Sequence, residues 1–271
     1  MPLTSDLTLS AAKFRPEAVS DQTKKFNDGL IKIMEGGPRW FDVGAERYRQ
    51  MRWNGETPLP RPQVLEHGQD THLPSRDSGR QIPVRVFKPR DGKKARGVFY
   101  HIHGGGWVLQ SEHYQDVMLD FIAENCSLIV VSVGYRLAPE NPYPAGNEDC
   151  FDVGEWLVDH AEREYGVPLT IMSGDSAGAH LSVVTCFHLL KSRPDFAFKG
   201  LVLNFGCFDL SSMLPQVHQF ELPLVLDKEN MARFHLPLPF EMSLTCADIW
   251  LRIVTSRPTC PIPRSSSGGT R

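Results

Sequence analysis

The 271-residue sequence lacks the features that mark membrane-spanning, secreted and nucleic-acid-binding proteins. No apolar run reaches the roughly 18 residues that a bilayer-spanning helix needs, and no basic or apolar leader is present. A formal net charge of only −3 gives no electrostatic reason to expect nucleic acid or an anionic membrane as a partner. We therefore predict an intracellular protein without a transmembrane anchor, cytoplasmic in the first place and peroxisomal in the second.

Cysteine pairs and internal repeats are also lacking. The six cysteines are scattered and form no C-x-x-C pair, which argues against a zinc finger or a disulfide scaffold and favours reduced thiols. No segment repeats along the chain. We expect neither a metal nor a cofactor, and a single α/β domain is the leading fold class.

Strand and helix patterns alternate from residue 80 onward, which predicts a parallel sheet with helices on both faces. The predicted strands cover residues 82–87 (an edge strand that ends at a proline), 97–103, 127–133, 169–173 and 200–205. The predicted helices cover residues 21–35, 115–125, 147–165, 177–191 and 222–234. We divide the chain into an aromatic-rich N-terminal segment (1–60), an α/β core (80–211), a partial insertion (212–235) and an irregular, disordered tail rich in Pro and Ser (236–271).

One motif predicts a nucleophilic serine. Gly174-Asp175-Ser176-Ala177-Gly178 fits G-x-S-x-G and lies between a predicted strand and a predicted helix. In that context a tight turn lifts the serine hydroxyl clear of the sheet, and the helix N-terminus offers N–H groups to a developing oxyanion. The alternative is a glycine-rich turn with a solvent-exposed serine.

A second motif supports the first. His103-Gly104-Gly105-Gly106-Trp107 follows the strand that ends at Ile102. Consecutive glycines let backbone N–H groups approach a ligand closely, as in the loop that supplies oxyanion donors in esterases and lipases. The alternative, a merely flexible turn, is hard to reconcile with both motifs standing in this order at strand ends.

With these blocks, and with Tyr135-Arg136-Leu137-Ala138-Pro139-Glu140 between them, the region from about Ile82 to Leu226 resembles the hormone-sensitive-lipase-like family of α/β-hydrolases. The resemblance implies that Ser176 attacks an ester carbonyl and that the backbone of Gly104, Gly105 and Ala177 binds the oxyanion. It also implies that residues 1–60 and the segment near 222–234 form a cap. The sequence is further similar to hydrolases of fungal polyketide and host-selective-toxin gene clusters, including the AK-toxin type.

The remaining polar residues near the motifs have structural interpretations. We expect His103, Gly106, Gly174, Asp175 and Gly178 to support the two motifs, with His103 bracing the glycine loop. His101, His180 and His188 are interpreted as core or surface residues. Glu148, Asp149 and Asp152 form an acidic cluster at a helix start, where carboxylates suit the helix dipole better than they suit a metal.

The acid and the base of a catalytic triad are not found. In this fold they follow the serine in the order Asp or Glu, then His, and the resembled family carries them far downstream. His218, His235, Asp209, Asp227 and Asp248 are the later candidates, and none has a family-like context. We expect the C-terminal part of the fold to be missing.

Two classes of function follow. The first is a serine hydrolase of the carboxylesterase or thioesterase type, acting on a small acyl ester in fungal secondary metabolism or toxin biosynthesis. The second is a catalytically impaired hydrolase or a non-catalytic binder of a small ligand on the same fold. The acyl group, the leaving group and the oligomeric state are left open.

Overall fold

The computed structural model of the chain describes residues 8–90, 92–208, 210, 219 and 224–235. The chain divides into two compact units, Met1–Pro62 with Pro215–Arg233 and Gln63–Leu214 with Phe234–Arg271. Among the described residues, no helix is long and apolar enough to cross a bilayer. The tail predicted to be disordered, residues 236–271, lies outside this part of the chain.

The N-terminal helices of the first unit lie between residues 11 and 54. Two 3-10 turns (Ala11–Phe14 and Pro16–Ala18) precede helices α1 (Asp21–Met34), α2 (Trp40–Val43) and α3 (Ala45–Asn54). The hydroxyl of Ser20 accepts the N–H of Thr23 at 3.1 Å and thereby caps α1. The predicted helix over 21–35 is confirmed, whereas a cap role for residues 1–60 stays a prediction.

The described part of the second unit is built on a six-stranded sheet. Its strands are β1 (Gln69–Pro74), β2 (Gln81–Phe87), β3 (Val98–Ile102), β4 (Ile129–Val133), β5 (Leu169–Asp175) and β6 (Gly200–Asn204). They are arranged in the order β1-β2-β4-β3-β5-β6. Strands β3 to β6 pair in parallel, whereas β2 pairs antiparallel with both β1 and β4. The predicted fold class, α/β with a mostly parallel sheet, is confirmed.

Helices cover both faces of this sheet. The connecting helices are α4 (Asp116–Cys126), α5 (Ala145–Tyr165) and α6 (Ala177–Ser192). Phe99 in β3 belongs to a buried cluster with Leu119 of α4, whereas the hydroxyl of Tyr100 donates to the carbonyl oxygen of Cys150 in α5 at 3.0 Å. Because successive side chains of a strand point to opposite faces, α4 and α5 pack on opposite sides of the sheet.

The prediction that residues 82–87 form an edge strand is wrong. This segment is β2, and it pairs with β1 on one side and with β4 on the other. Strand β1 has no counterpart among the predicted strands, because only its Leu73 is buried and no apolar alternation marks it. Pro83 is tolerated inside the sheet: it lies opposite His72, and its carbonyl accepts the N–H of Gly134 at 2.9 Å.

The last helix among the described residues, α7, spans Lys228–His235. It begins later than the predicted Leu222, because Asp227 acts as an N-cap and its carboxylate accepts the N–H of Asn230 at 2.7 Å. Asp227 therefore has a structural role at a helix start. The side chain of His235 lies outside the described part of the chain, as do His218, Asp209 and Asp248.

Candidate active site

Ser176 lies at a sharp turn between a strand and a helix. It follows Asp175, the last residue of β5, and precedes Ala177, the first residue of α6. Its backbone has φ 54° and ψ −117°, a conformation that costs a non-glycine residue on the order of 1–3 kcal/mol. The half-buried serine is thus held in strained backbone geometry, as the motif predicts.

The glycines on either side of Ser176 let three pieces of backbone come together. A Cβ atom on Gly178 would collide with the carbonyl oxygen of Ile102 at the end of β3. A Cβ atom on Gly174 would collide with the carbonyl group of Gly178 and lie 2.6 Å from the hydroxyl of Ser182. Any larger residue at either position would separate the helix from the sheet.

The glycine loop after β3 reaches this turn. A Cβ atom built on Gly104 would lie 2.8 Å from the carbonyl oxygen of Asp175 and 3.5 Å from the Cβ of Ser176. Gly105 has φ 100° and Gly106 has φ 62°, both in the region that favours glycine. The structure therefore brings the two predicted motifs into van der Waals contact.

Backbone N–H groups suited to an anion are available at this junction. Ala177 is buried and opens α6, so its N–H is one of the four that a helix leaves without an intrahelical acceptor. The glycine loop adds N–H groups next to the same turn. Donors fixed in this way can stabilise an oxyanion that develops on a bound carbonyl group.

His103 is held against the loop backbone. Its Nδ1 donates to the carbonyl oxygen of Gly104 at 2.8 Å, and its ring stacks on Tyr135 with centroids 4.2 Å apart. The Tyr135 hydroxyl donates to the carbonyl oxygen of His103 at 3.1 Å. Burial lowers the pKa of His103 to about 3, so the ring is neutral at physiological pH and is suited to bracing the loop rather than to exchanging protons.

Asp175 is bound by two amide side chains. Asn204 at the end of β6 donates its Nδ2 to one carboxylate oxygen at 2.7 Å, and Gln115 donates its Nε2 to the other. The Oε1 of Gln115 in turn accepts the Nε2–H of fully buried His101 at 2.6 Å. Burial lowers the pKa of His101, and the nearby Asp175 carboxylate opposes this shift.

Gln115 and Asn204 were not singled out in the sequence. Their positions could have indicated a role at the site, since Asn204 lies at the carboxyl end of β6 and Gln115 lies just before α4. Such positions lie at the same end of a parallel sheet as the serine turn. The sequence could not show that both amides meet one carboxylate, because that depends on the order of the strands.

The other polar candidates are engaged elsewhere. His180 is buried and packs edge-to-face on Trp107 at 5.5 Å, and His188 lies 2.9 Å from Glu155. Within the acidic cluster, Asp149 is bound by Arg80 and Arg136, and Asp152 and Glu148 by Arg76. No group of side chains in the described part of the chain is suited to holding a metal ion.

A family model for the α/β hydrolase fold matches residues 99–243, more than half of the chain. The chain belongs to this family. The match includes the glycine loop, the serine turn and the strands that carry them. The family assignment therefore rests on the same segments that form the candidate site.

Relatives of this α/β hydrolase include enzymes named for ester or amide cleavage. It is 30% identical over 170 residues to an ethyl acetate hydrolase of Pseudomonas putida, which covers 61% of this chain and 53% of that protein. It is 39% identical over 168 residues to an arylacetamide deacetylase of Bos taurus, which covers 56% and 40%. The chain thus spans about half the length, or less, of these curated relatives.

Solved structures show the same fold. An esterase of the hyperthermophilic archaeon Pyrobaculum calidifontis superposes with a TM-score of 0.67 at 25% sequence identity. The superposition covers 86% of this α/β hydrolase and 74% of the archaeal chain. This α/β hydrolase therefore shares its fold with an esterase.

Proposed function

We propose that this α/β hydrolase is a serine hydrolase that cleaves a carboxylic ester or thioester. Ser176 is the nucleophile, and the backbone N–H groups of Gly104, Gly105 and Ala177 form the oxyanion hole. One observation carries the proposal: the glycine loop touches the serine turn, since a Cβ on Gly104 would lie 3.5 Å from the Cβ of Ser176. A loop that served only as a flexible connection would not need this approach.

The proposed reaction proceeds by acyl transfer. The Ser176 oxygen attacks the carbonyl carbon as its proton passes to a general base, and the carbonyl oxygen becomes an oxyanion bound by the N–H groups. The intermediate collapses, the alcohol or thiol leaves with the proton, and water then hydrolyses the acyl-serine. The described residues do not assign the base or the acid that orients it.

A second candidate, a non-catalytic binder of a small ester or acid, is favoured by the state of the two histidines in and beside the glycine loop. His101 donates to Gln115, and His103 donates to the carbonyl of Gly104. Burial lowers the pKa of both rings. Neither histidine is therefore suited to accept the proton of Ser176.

We further propose that the natural substrate is an ester of fungal secondary metabolism. The proposal rests on the resemblance of the sequence to hydrolases of fungal polyketide and host-selective-toxin gene clusters.

Two assays distinguish the candidates. The purified chain is labelled with a fluorophosphonate, which requires an activated serine, and is assayed with p-nitrophenyl butyrate. The serine-hydrolase proposal requires both signals in the wild type and in Ser192→Ala, a control at the far end of α6, and neither in Ser176→Ala. Binding of the ester without labelling or turnover would support the binder instead. Labelling that survives in Ser176→Ala would contradict the assigned nucleophile.

A further inference from the structure

Three neighbouring strands end side by side at the candidate site. β3 continues into the glycine loop, β5 ends at Asp175 just before Ser176, and β6 ends at Asn204 just before Phe205. The strands lie in the order β3-β5-β6. The glycine loop and Phe205 therefore flank Ser176 on opposite sides, at the sheet end where α/β proteins bind ligands.

Phe205 is held close to the serine by a backbone hydrogen bond. The N–H of Ser176 donates to the carbonyl oxygen of Asn204 at 2.9 Å. Since that carbonyl belongs to the peptide bond that joins Asn204 to Phe205, standard peptide dimensions place the Phe205 Cα within about 6 Å of the Ser176 nitrogen. The Asn204 side chain also donates to the Asp175 carboxylate at 2.7 Å, and this second hydrogen bond holds the end of β6 against the serine turn.

The Phe205 side chain is poorly explained by packing. It is 80% exposed, the highest value among the large apolar side chains described. Its φ of 42° is a left-handed value, which is an outlier for a bulky residue. Because the side chain buries little apolar surface, its packing does not offset the free-energy cost of the strained backbone.

Strained residues collect at this end of the sheet. Among the described residues, the non-glycine positions with positive φ are Trp107, Gln110, Ser127, Ser176 and Phe205. Ser127 ends α4 as an ordinary left-handed cap. The other four lie in the glycine loop and its continuation, at the serine turn, and directly after β6. Strain that clusters in this way is typical of binding and catalytic sites.

We propose that the Phe205 ring is the apolar wall of the substrate pocket and determines which esters are accepted. This inference rests on the proposed function of Ser176. The ring contacts a hydrophobic substituent of the ester, on the side of the scissile carbonyl opposite the oxyanion donors. The strained backbone holds the ring out of the core and available to the substrate.

The test compares Phe205→Ala and Phe205→Gly with Phe121→Ala, a control that removes another exposed phenylalanine, on α4. We measure kcat/KM for p-nitrophenyl esters of increasing acyl length and for butyrates of increasing alcohol size. Both Phe205 variants should lose about tenfold or more of the preference for large over small substituents in at least one series. The control should keep the preference of the wild type.

Thermal unfolding separates this role from a structural one. Glycine accepts positive φ without strain, so Phe205→Gly should have a Tm equal to or above that of the wild type. A fall of several degrees in Phe205→Gly, or unchanged selectivity in both ester series, would overturn the proposal.

The inference can also be tested if the wild type shows no Ser176-dependent turnover, a result that would refute the proposed function. Calorimetric titration of methyl octanoate is then compared between Ser176→Ala and Ser176→Ala with Phe205→Ala. At least several-fold weaker binding to the double variant would support the role of Phe205 as the pocket wall, and equal binding would refute that role.

Discussion

The backbone amide of Ser176 donates to the carbonyl oxygen of Asn204 at 2.9 Å, while the side chain of Asn204 donates to Asp175 at 2.7 Å. A single residue at the end of β6 thereby holds both the nucleophile and the residue before it. The serine turn is thus supported from the neighbouring strand, beyond its own strand and helix. The first prediction tests this support.

Asn204→Leu should lower the free energy of unfolding by about 1–3 kcal/mol, because one oxygen of the buried Asp175 carboxylate loses its donor. Esterase turnover should fall by more than the loss of folded protein accounts for, since the turn is also loosened. Chemical denaturation and p-nitrophenyl butyrate assays measure the two effects. Asn125→Leu is the control, because Asn125 is exposed and bonds only the backbone of its own helix. Equal stability of both variants would contradict the role of Asn204.

Gly104→Val should reduce kcat on a short ester by about 10²–10³-fold, the usual cost of losing one oxyanion donor. The branched side chain would start 2.8 Å from the carbonyl oxygen of Asp175 and would push the loop away from the serine turn. Gly200→Val is the matched control, because a Cβ at Gly200 meets nothing within 4 Å. Turnover by the Gly104 variant at the control's rate would show that the loop does not bind the oxyanion.

His103 should make stability fall with acid. Its folded-state pKa of about 3 lies below the ordinary value of 6.5, because burial disfavours the charged ring. The unfolded chain therefore takes up a proton first, and the stabilisation present above pH 6.5 is lost progressively down to about pH 3. The slope from this group reaches about 1.4 kcal/mol per pH unit.

The comparison of His103→Gln with wild type isolates that slope. Denaturation curves between pH 7 and pH 4 should show a shallower decline for the variant. His72→Gln, which changes an exposed histidine on β1, should follow the wild-type slope. Parallel curves for all three proteins would mean that His103 does not stay neutral when buried.

The buried ion pair between Arg85 and Asp116 should dominate the attachment of α4 to the sheet. The guanidinium lies 2.6 Å from the carboxylate, and both side chains are at most 3% exposed. Asp116→Leu should cost about 3–5 kcal/mol, since the buried guanidinium then keeps only the largely exposed Asp70 carboxylate, 2.9 Å away, as its ion-pair partner. Arg85→Met combined with Asp116→Leu should cost less than that single change.

The control for this cycle is the more exposed pair between Arg90 and Glu124 of α4, which lie 2.7 Å apart with the Arg90 side chain 48% exposed. Its removal should cost no more than about 1 kcal/mol, because solvent screens the interaction. Urea denaturation of the wild type and of each variant gives their free energies of unfolding. A cost for Asp116→Leu as small as that of the exposed pair would contradict the prediction.

The local sequence was sufficient to predict most strands and helices of the α/β core. The apolar run of β4 is buried at all five positions, as expected for a strand covered on both faces. The serine turn lies where the G-x-S-x-G motif predicts it, because two glycines and a strand-to-helix junction act within a few residues. Helix α1 likewise begins at its Ser20 cap.

Other features could not be predicted in this way. β1 has a polar pattern and becomes a strand only because β2 offers it a partner. The early part of the predicted 222–234 segment is not helical where it is described, since Asp227 starts the helix later. In both cases the outcome depends on contacts that no local pattern records.

The sequence by itself determined that this chain carries a strained serine between a strand and a helix, together with a glycine loop that can approach it. Only the tertiary structure decided what surrounds that serine: the amides of Gln115 and Asn204 on Asp175, and the exposed ring of Phe205. The physical reason is the strand order. Residues separated by 29 to 60 positions along the chain meet because β3, β5 and β6 end side by side, and this arrangement arises only when the whole sheet is formed.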